Sequence, residues 1–243
     1  MPVTCRPLTI AHRGDPVAER ENTLQAIQAA IAQGAEAVEI DVQLAADGTP
    51  VVVHDATFER LWGDTHPVGA LAWPEIARLG DVGVRVPRLA DLLELSTAAG
   101  VPLVLDQKDP AAGAAAARLV ERVGAERTAF CGATEGLLDI RRMLPQATIF
   151  WNDPGPGTPD LHVLTAMRPQ FYNPSWPALS PALVRGLHAF GIKVSCWTPN
   201  DDADLALVLD LGVDAVMTDR TGALVALLDA RGPYQARKAA LWP

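Results

Sequence analysis

The chain has 243 residues, 49% of them hydrophobic, and its 20 Lys and Arg against 29 Asp and Glu give a formal charge of −9 at pH 7. That apolar content excludes a disordered chain, and an acidic balance with no basic block argues against a nucleic-acid partner. No apolar run approaches the roughly 18 uncharged residues of a membrane span, so no stable membrane insertion is expected.

In chain order, the first predicted strand (7–13) ends in Ala11-His12-Arg13-Gly14-Asp15. A His and an Arg at a strand's C-terminal end suit chemistry better than core packing. The planar Arg fork suits phosphate or carboxylate, and Gly14 lets the chain turn sharply. Glu21-Asn22-Thr23-Leu24 then opens a helix, with Asn22 or Thr23 as its N-cap and free N–H groups able to face an anion. In the second strand (36–44), the period of two puts Glu39 and Asp41 on one face, opposite Val38, Ile40 and Val42. Two acids on a buried face repel unless a cation lies between them, and hard oxygen donors select Mg2+ or Ca2+.

Asp47-Gly48 separates this strand from Pro50-Val-Val-Val-His-Asp55, too short a gap for a crossover helix. The second run is predicted to return antiparallel as a hairpin and to carry His54 over the end of the sheet. Residues 56–88, rich in Gly, Pro and charge, read as an irregular loop of the kind that forms lids. Strand 102–108 ends in Asp106-Gln107-Lys108, with Asp106 and Lys108 on one face as a third oxygen ligand and a second cation. Strands at 127–132, 147–152, 170–174, 192–198 and 214–218 follow. Trp151, Trp197 and Asn200 stand near strand ends as candidate pocket residues, whereas His66, His162 and His188 have no carboxylates at metal spacing.

Helical stretches end in Gly at 34, 100, 124, 191 and 212, each followed by an apolar β-branched run. This alternation predicts crossover units and a parallel sheet. Eight parallel strands, with no Gly-rich dinucleotide turn, predict a (β/α)8 TIM barrel. A single domain spans 1–243, with 230–243 as a tail whose role is open. Cys5, Cys131 and Cys196 fit neither a zinc knuckle nor a redox pair, and the first segment has no secretory apolar region. A cytoplasmic location is therefore expected.

The motifs AHRG (11–14), ENT (21–23), VEIDVQL…DG…VVVHD (38–55), LDQK (105–108), CWTPN (196–200) and GVDAVMTD (212–219) resemble the glycerophosphodiester phosphodiesterase family. The resemblance runs through nearly the whole chain in order. It implies a TIM barrel that hydrolyses glycerophosphodiesters to glycerol 3-phosphate and an alcohol with a divalent metal. It also implies catalytic roles for His12 and His54, metal ligation by Glu39, Asp41 and Asp106, and phosphate contacts from Arg13 and Lys108. The chain departs from the family where Asp106 replaces the usual Glu of an E-x-K motif. The stretch before Glu21 lacks the usual Pro, and Thr57–Gly63 keeps only part of the usual pattern.

Phosphodiester cleavage needs charge neutralised on the phosphoryl oxygens, a nucleophile deprotonated and an alkoxide protonated, which the cation, Arg13, Lys108 and two histidines supply. A histidine near the metal or Arg13 is expected to be held neutral, and one near Asp15 or Asp55 charged. The rival readings are a lysophospholipase D-like or cyclic-phosphate-forming activity, favoured by an exposed apolar loop near 56–75, and a barrel that binds glycerol phosphate without turnover. A metal-dependent aldolase also uses barrel carboxylates, but the His12–Arg13 pair and the His54 hairpin argue against it.

Overall fold

The structure, a computed structural model, describes residues 5–153, 159–232 and 234. Its strands are β1 (Leu8–His12), β2 (Ala37–Leu44), β3 (Pro50–Val52), β4 (Gly80–Asp81), β5 (Val84–Arg85), β6 (Leu103–Gln107), β7 (Ala129–Gly132), β8 (Thr148–Trp151), β9 (Phe171–Tyr172), β10 (Lys193–Cys196) and β11 (Ala215–Thr218). The parallel order β1-β11-β10-β9-β8-β7-β6-β2 is closed by pairing of β1 with β2. Helices connect the barrel strands, so the molecule is a (β/α)8 TIM barrel. All eight parallel strands expected from the sequence are present.

Period two sorts each strand into an inner and an outer face. Leu8, Ile10, Ala37, Val104, Ala129, Cys131, Phe150, Phe171, Ala215 and Met217 form the buried barrel interior. Phe150 and Phe171 stack there with ring centroids 4.1 Å apart. The opposite parity, including Val38, Ile40, Leu105 and Trp151, packs against the helices. Continuing in steps of two from the interior set reaches His12, Glu39 and then Asp41, Asp106 and Asp219. The apolar plug therefore becomes a polar mouth at the strands' C-terminal ends.

Gly34, Gly100, Gly124, Gly191 and Gly212 all have positive φ, as helix ends before a strand require. Gly14 is tightly constrained beside the mouth: at φ +84 its missing Cβ would lie 2.6 Å from the Ala26 carbonyl carbon. Gly14→Ala combines left-handed strain with a clash against helix backbone. It is expected to lower stability by about 2–4 kcal/mol, read by urea unfolding.

β3 returns antiparallel to β2, with Val42 opposite Val52, and the Val53 N–H donates to the Asp41 carbonyl at 3.0 Å. The segment after it is more ordered than an irregular loop. Short helices at Glu59–Trp62 and Trp73–Ile76 and the β4–β5 hairpin pack on a small core of Val51, Val53, Phe58, Val68, Ile76 and Val86. Alternating polarity in 56–88 is too brief per element to register as periodicity. Residues 154–158 lie outside the described residues, as do Pro233 and 235–243 of the tail. The last helix runs to Arg231, and Tyr234 packs against the main core.

Candidate active site

Glu39 and Asp41 are 2% and 1% exposed and share the inward face of β2. Asp106 joins them from β6, where it pairs in register with Asp41. One carboxylate oxygen from each of the three lies within 4.8 Å of the others. Gly132 makes room for this group, because a Cβ there would lie 2.5 Å from Asp106 Oδ1. Two cations face the acids. Lys108 Nζ lies 2.5 Å from Asp41 Oδ1 and 2.8 Å from Asp106 Oδ2. Arg13 Nε lies 3.2 Å from Asp41 Oδ2, and the Arg13 backbone N–H donates to Glu39 at 3.1 Å.

The three carboxyls respond differently. Burial, and then the charge of Asp41, push Glu39 up to about 8. Burial also raises Asp106 despite Lys108. At Asp41, burial is outweighed by Lys108 and Arg13, which hold its carboxyl below the usual range. A buried acid so reluctant to ionise, beside two others, marks a place short of positive charge. The all-oxygen donor set fits a hard divalent cation.

His12 ends β1 with Nδ1 2.7 Å from Asp219 Oδ1 and Nε2 3.9 Å from Glu39 Oε2. Burial opposes charge on this ring, but the Asp219 hydrogen bond and the Glu39 charge outweigh it and raise the His12 pKa. His12 also lowers the Asp219 carboxyl despite that group's burial. An ionised carboxylate only accepts, so Asp219 fixes the neutral ring as the Nδ1–H tautomer and leaves Nε2 to exchange protons. Motif reasoning left Asp219 without a role. The inward run Ala215, Met217, Asp219 carries its signal. Asp15 turns out to cap its own turn, accepting from Val17 and Ala18 N–H at 3.1 and 3.2 Å. It is not a histidine partner because its carboxylate is already committed locally.

His54 repeats the arrangement on the hairpin side. Its Nδ1 lies 2.8 Å from Asp55 Oδ1. Arg60, and then the His54 hydrogen bond against a small desolvation cost, draw Asp55 down to about 2. The Gln43 amide donates to the Val53, His54 and Asp55 carbonyls at 3.0, 3.0 and 2.7 Å, which ties the hairpin end to β2. Gln43 follows Glu39 and Asp41 at the same parity, so its role was within reach of the sequence pattern. Thr23 is the helix N-cap and accepts from Ala26 N–H, whereas Asn22 (φ +59) donates to Asp41 Oδ2 at 2.7 Å and accepts the Asp41 N–H at 3.1 Å.

The three pocket candidates separate. Trp197 stays 38% exposed at the end of β10, its indole N–H donating to the Asn173 carbonyl at 3.1 Å. Asn200 turns onto Asp219, donating to Oδ2 at 2.6 Å and accepting the Asp219 N–H at 3.0 Å, so it supports the His12 partner. Trp151 does not line the mouth. It is 2% exposed, faces the helices and donates to Thr134 Oγ1 at 3.1 Å. Strand parity makes Phe150, its neighbour, the inward residue. His66 and His188 each pair with a single carboxylate, Asp64 and Asp214 respectively.

Three converging acids, two cations and two carboxylate-held histidines thus meet at the C-terminal mouth of the barrel. The sequence model of the glycerophosphoryl diester phosphodiesterase family matches residues 12–127 and 136–223, and the chain belongs to that family. It is 27% identical over 243 aligned residues to the glycerophosphodiester phosphodiesterase of Caldanaerobacter subterraneus, covering 93% of this chain and 100% of that one. Among solved structures, one from Silicibacter pomeroyi described by the same family name has TM-score 0.85 and 26% identity over 96% of both chains. The glycerophosphodiester phosphodiesterase of Agrobacterium tumefaciens has TM-score 0.79 and 26% identity over 90% of this chain and 99% of that one.

Proposed function

We propose that the protein hydrolyses glycerophosphodiesters to glycerol 3-phosphate and an alcohol, with His12 and His54 as the proton-transferring pair and one Mg2+ or Ca2+ held by Glu39, Asp41 and Asp106. The observation that carries this reading is the convergence of three acids, two of them buried, beside Arg13, Lys108 and His12 at one mouth. The bound cation would neutralise phosphoryl charge and lower the pKa of an attacking hydroxyl. Arg13 offers its guanidinium fork to phosphate oxygens, and Lys108 a compact ammonium. One histidine Nε2 takes the proton of the nucleophile and the other returns one to the leaving alkoxide. Trp197 offers an exposed indole at the rim for the substrate's carbon skeleton.

A water-soluble diester is favoured over a lipid. The apolar side chains Phe58, Leu61, Trp62, Val68, Leu71 and Trp73 are buried or half-buried. The free cysteines, two of them buried, agree with a reducing cytoplasm. Among the described residues no helix is long and apolar enough to cross a membrane.

The test is glycerol 3-phosphate release from glycerophosphocholine, glycerophosphoethanolamine and glycerophosphoglycerol, with and without EDTA. Turnover that chelator abolishes and Mg2+ or Ca2+ restores is expected. Binding of these diesters without product under metal-replete conditions would leave the protein a glycerol phosphate binder.

A further inference from the structure

Arg60, on the first short helix after the hairpin, joins the two halves of the mouth. Its Nε and Nη2 lie 2.5 and 3.1 Å from the two oxygens of Asp55. Its Nη1 and Nη2 lie 3.2 and 2.6 Å from the two oxygens of Glu21. The guanidinium thus forks onto two carboxylates at once. Each carboxylate also shares an oxygen with a residue of the site: Asp55 Oδ1 with His54 Nδ1 at 2.8 Å, and Glu21 Oε1 with Arg13 Nη1 at 3.0 Å.

We propose that Arg60 is a positioning residue, which locks the His54 ring and the Arg13 guanidinium into one rigid unit through Asp55 and Glu21. The proposal rests on the functional reading above only for its kinetic readout. The ring of His54 stands on a hairpin end, and Arg13 in the turn just past the first barrel strand, at φ +57. Neither backbone fixes the distance between the two side chains. The chain His54–Asp55–Arg60–Glu21–Arg13 does so with planar groups whose hydrogen bonds specify direction as well as length. Partly exposed ion pairs add little to stability, so the clamp's effect lies in geometry. Lysine cannot replace it, because one ammonium cannot present two forks.

The experiment compares Arg60→Ala and Arg60→Lys with the parent, all loaded with divalent cation. Displacing a reacting group by about 1 Å costs on the order of a hundredfold. Both variants are expected to lose about tenfold to a hundredfold in kcat, with KM within about threefold of the parent. Added methylguanidinium is expected to recover part of the loss in Arg60→Ala and none in Arg60→Lys. Nitrogen-15 NMR of the His54 ring gives a readout independent of turnover: a single Nδ1–H tautomer in the parent and a mixture in Arg60→Ala. Arg60→Lys retains the positive charge and serves if the alanine variant does not fold. Parent-like kcat in a folded variant overturns the clamp, as does a loss that methylguanidinium leaves untouched while His54 keeps one tautomer. Absence of turnover in the parent sinks the functional reading, while the tautomer measurement still decides the clamp.

Discussion

His12→Ala is expected to reduce kcat for glycerol 3-phosphate release by about a thousandfold, within the range a positioned acid or base contributes. Its neighbour Asp219 would be left with Asn200 as its remaining hydrogen-bonding side-chain partner. His54→Ala is expected to fall by a similar factor. The double variant should be little worse than either alone, because the two rings serve one proton circuit. Asp219→Asn should fall between the parent and His12→Ala, since an amide can donate to Nδ1 and so permits the wrong tautomer. Initial rates at saturating cation and substrate are the measurement. Parent-like turnover in His12→Ala would remove the two-histidine mechanism outright.

The acids should divide in the opposite way from what a shared role suggests. In cation-stripped protein, Asp41→Asn is expected to cost about 3 kcal/mol of stability, because Arg13 and Lys108 each lose a buried partner. Glu21 and Asp106 remain to them, which limits the loss. Glu39→Gln is expected to be neutral or stabilising in the same protein, since burial already pushes this carboxyl up to about 8 and glutamine resembles its protonated form. The sign follows from linkage. Between its ordinary value near 4.5 and about 8 the folded state binds the extra proton, so stability falls as pH rises through that window. Glu39→Gln removes that slope. Both variants should lose cation-dependent activity, and urea unfolding in EDTA separates them. A large destabilisation by Glu39→Gln at pH 7 would show that the carboxylate, and not the acid, is the buried species.

How legible the site was depended on whether a residue's partner lies close in sequence or is fixed by strand parity. Glu39 and Asp41 declared themselves through a period of two on one strand, and His54 through an Asp-Gly turn with too little chain for a crossover. The same parity, continued along β11, already singles out Asp219, and along β2 it singles out Gln43. Trp151 misled because nearness to a strand end was weighed without parity, and its side chain faces the helices. Arg60 carried no signal, since its two partners lie 5 and 39 residues away and only the folded insertion brings them together. The replacement of Glu by Asp at 106 leaves the acid in place, because β6 pairs Asp106 in register with Asp41 and Gly132 gives up its side-chain volume to it.

Local sequence was enough for the barrel, for the end of it where His12 and Arg13 stand, and for the three acids that converge there in a chain of net charge −9. These follow from periodicity and glycine placement, which act over a few residues. Tertiary structure alone decided which carboxylate holds which histidine, how Asp41 divides between Arg13 and Lys108, and how Arg60 joins the halves of the mouth. Those contacts depend on ring closure and on the docking of an insertion, where directions in space matter and sequence distance does not.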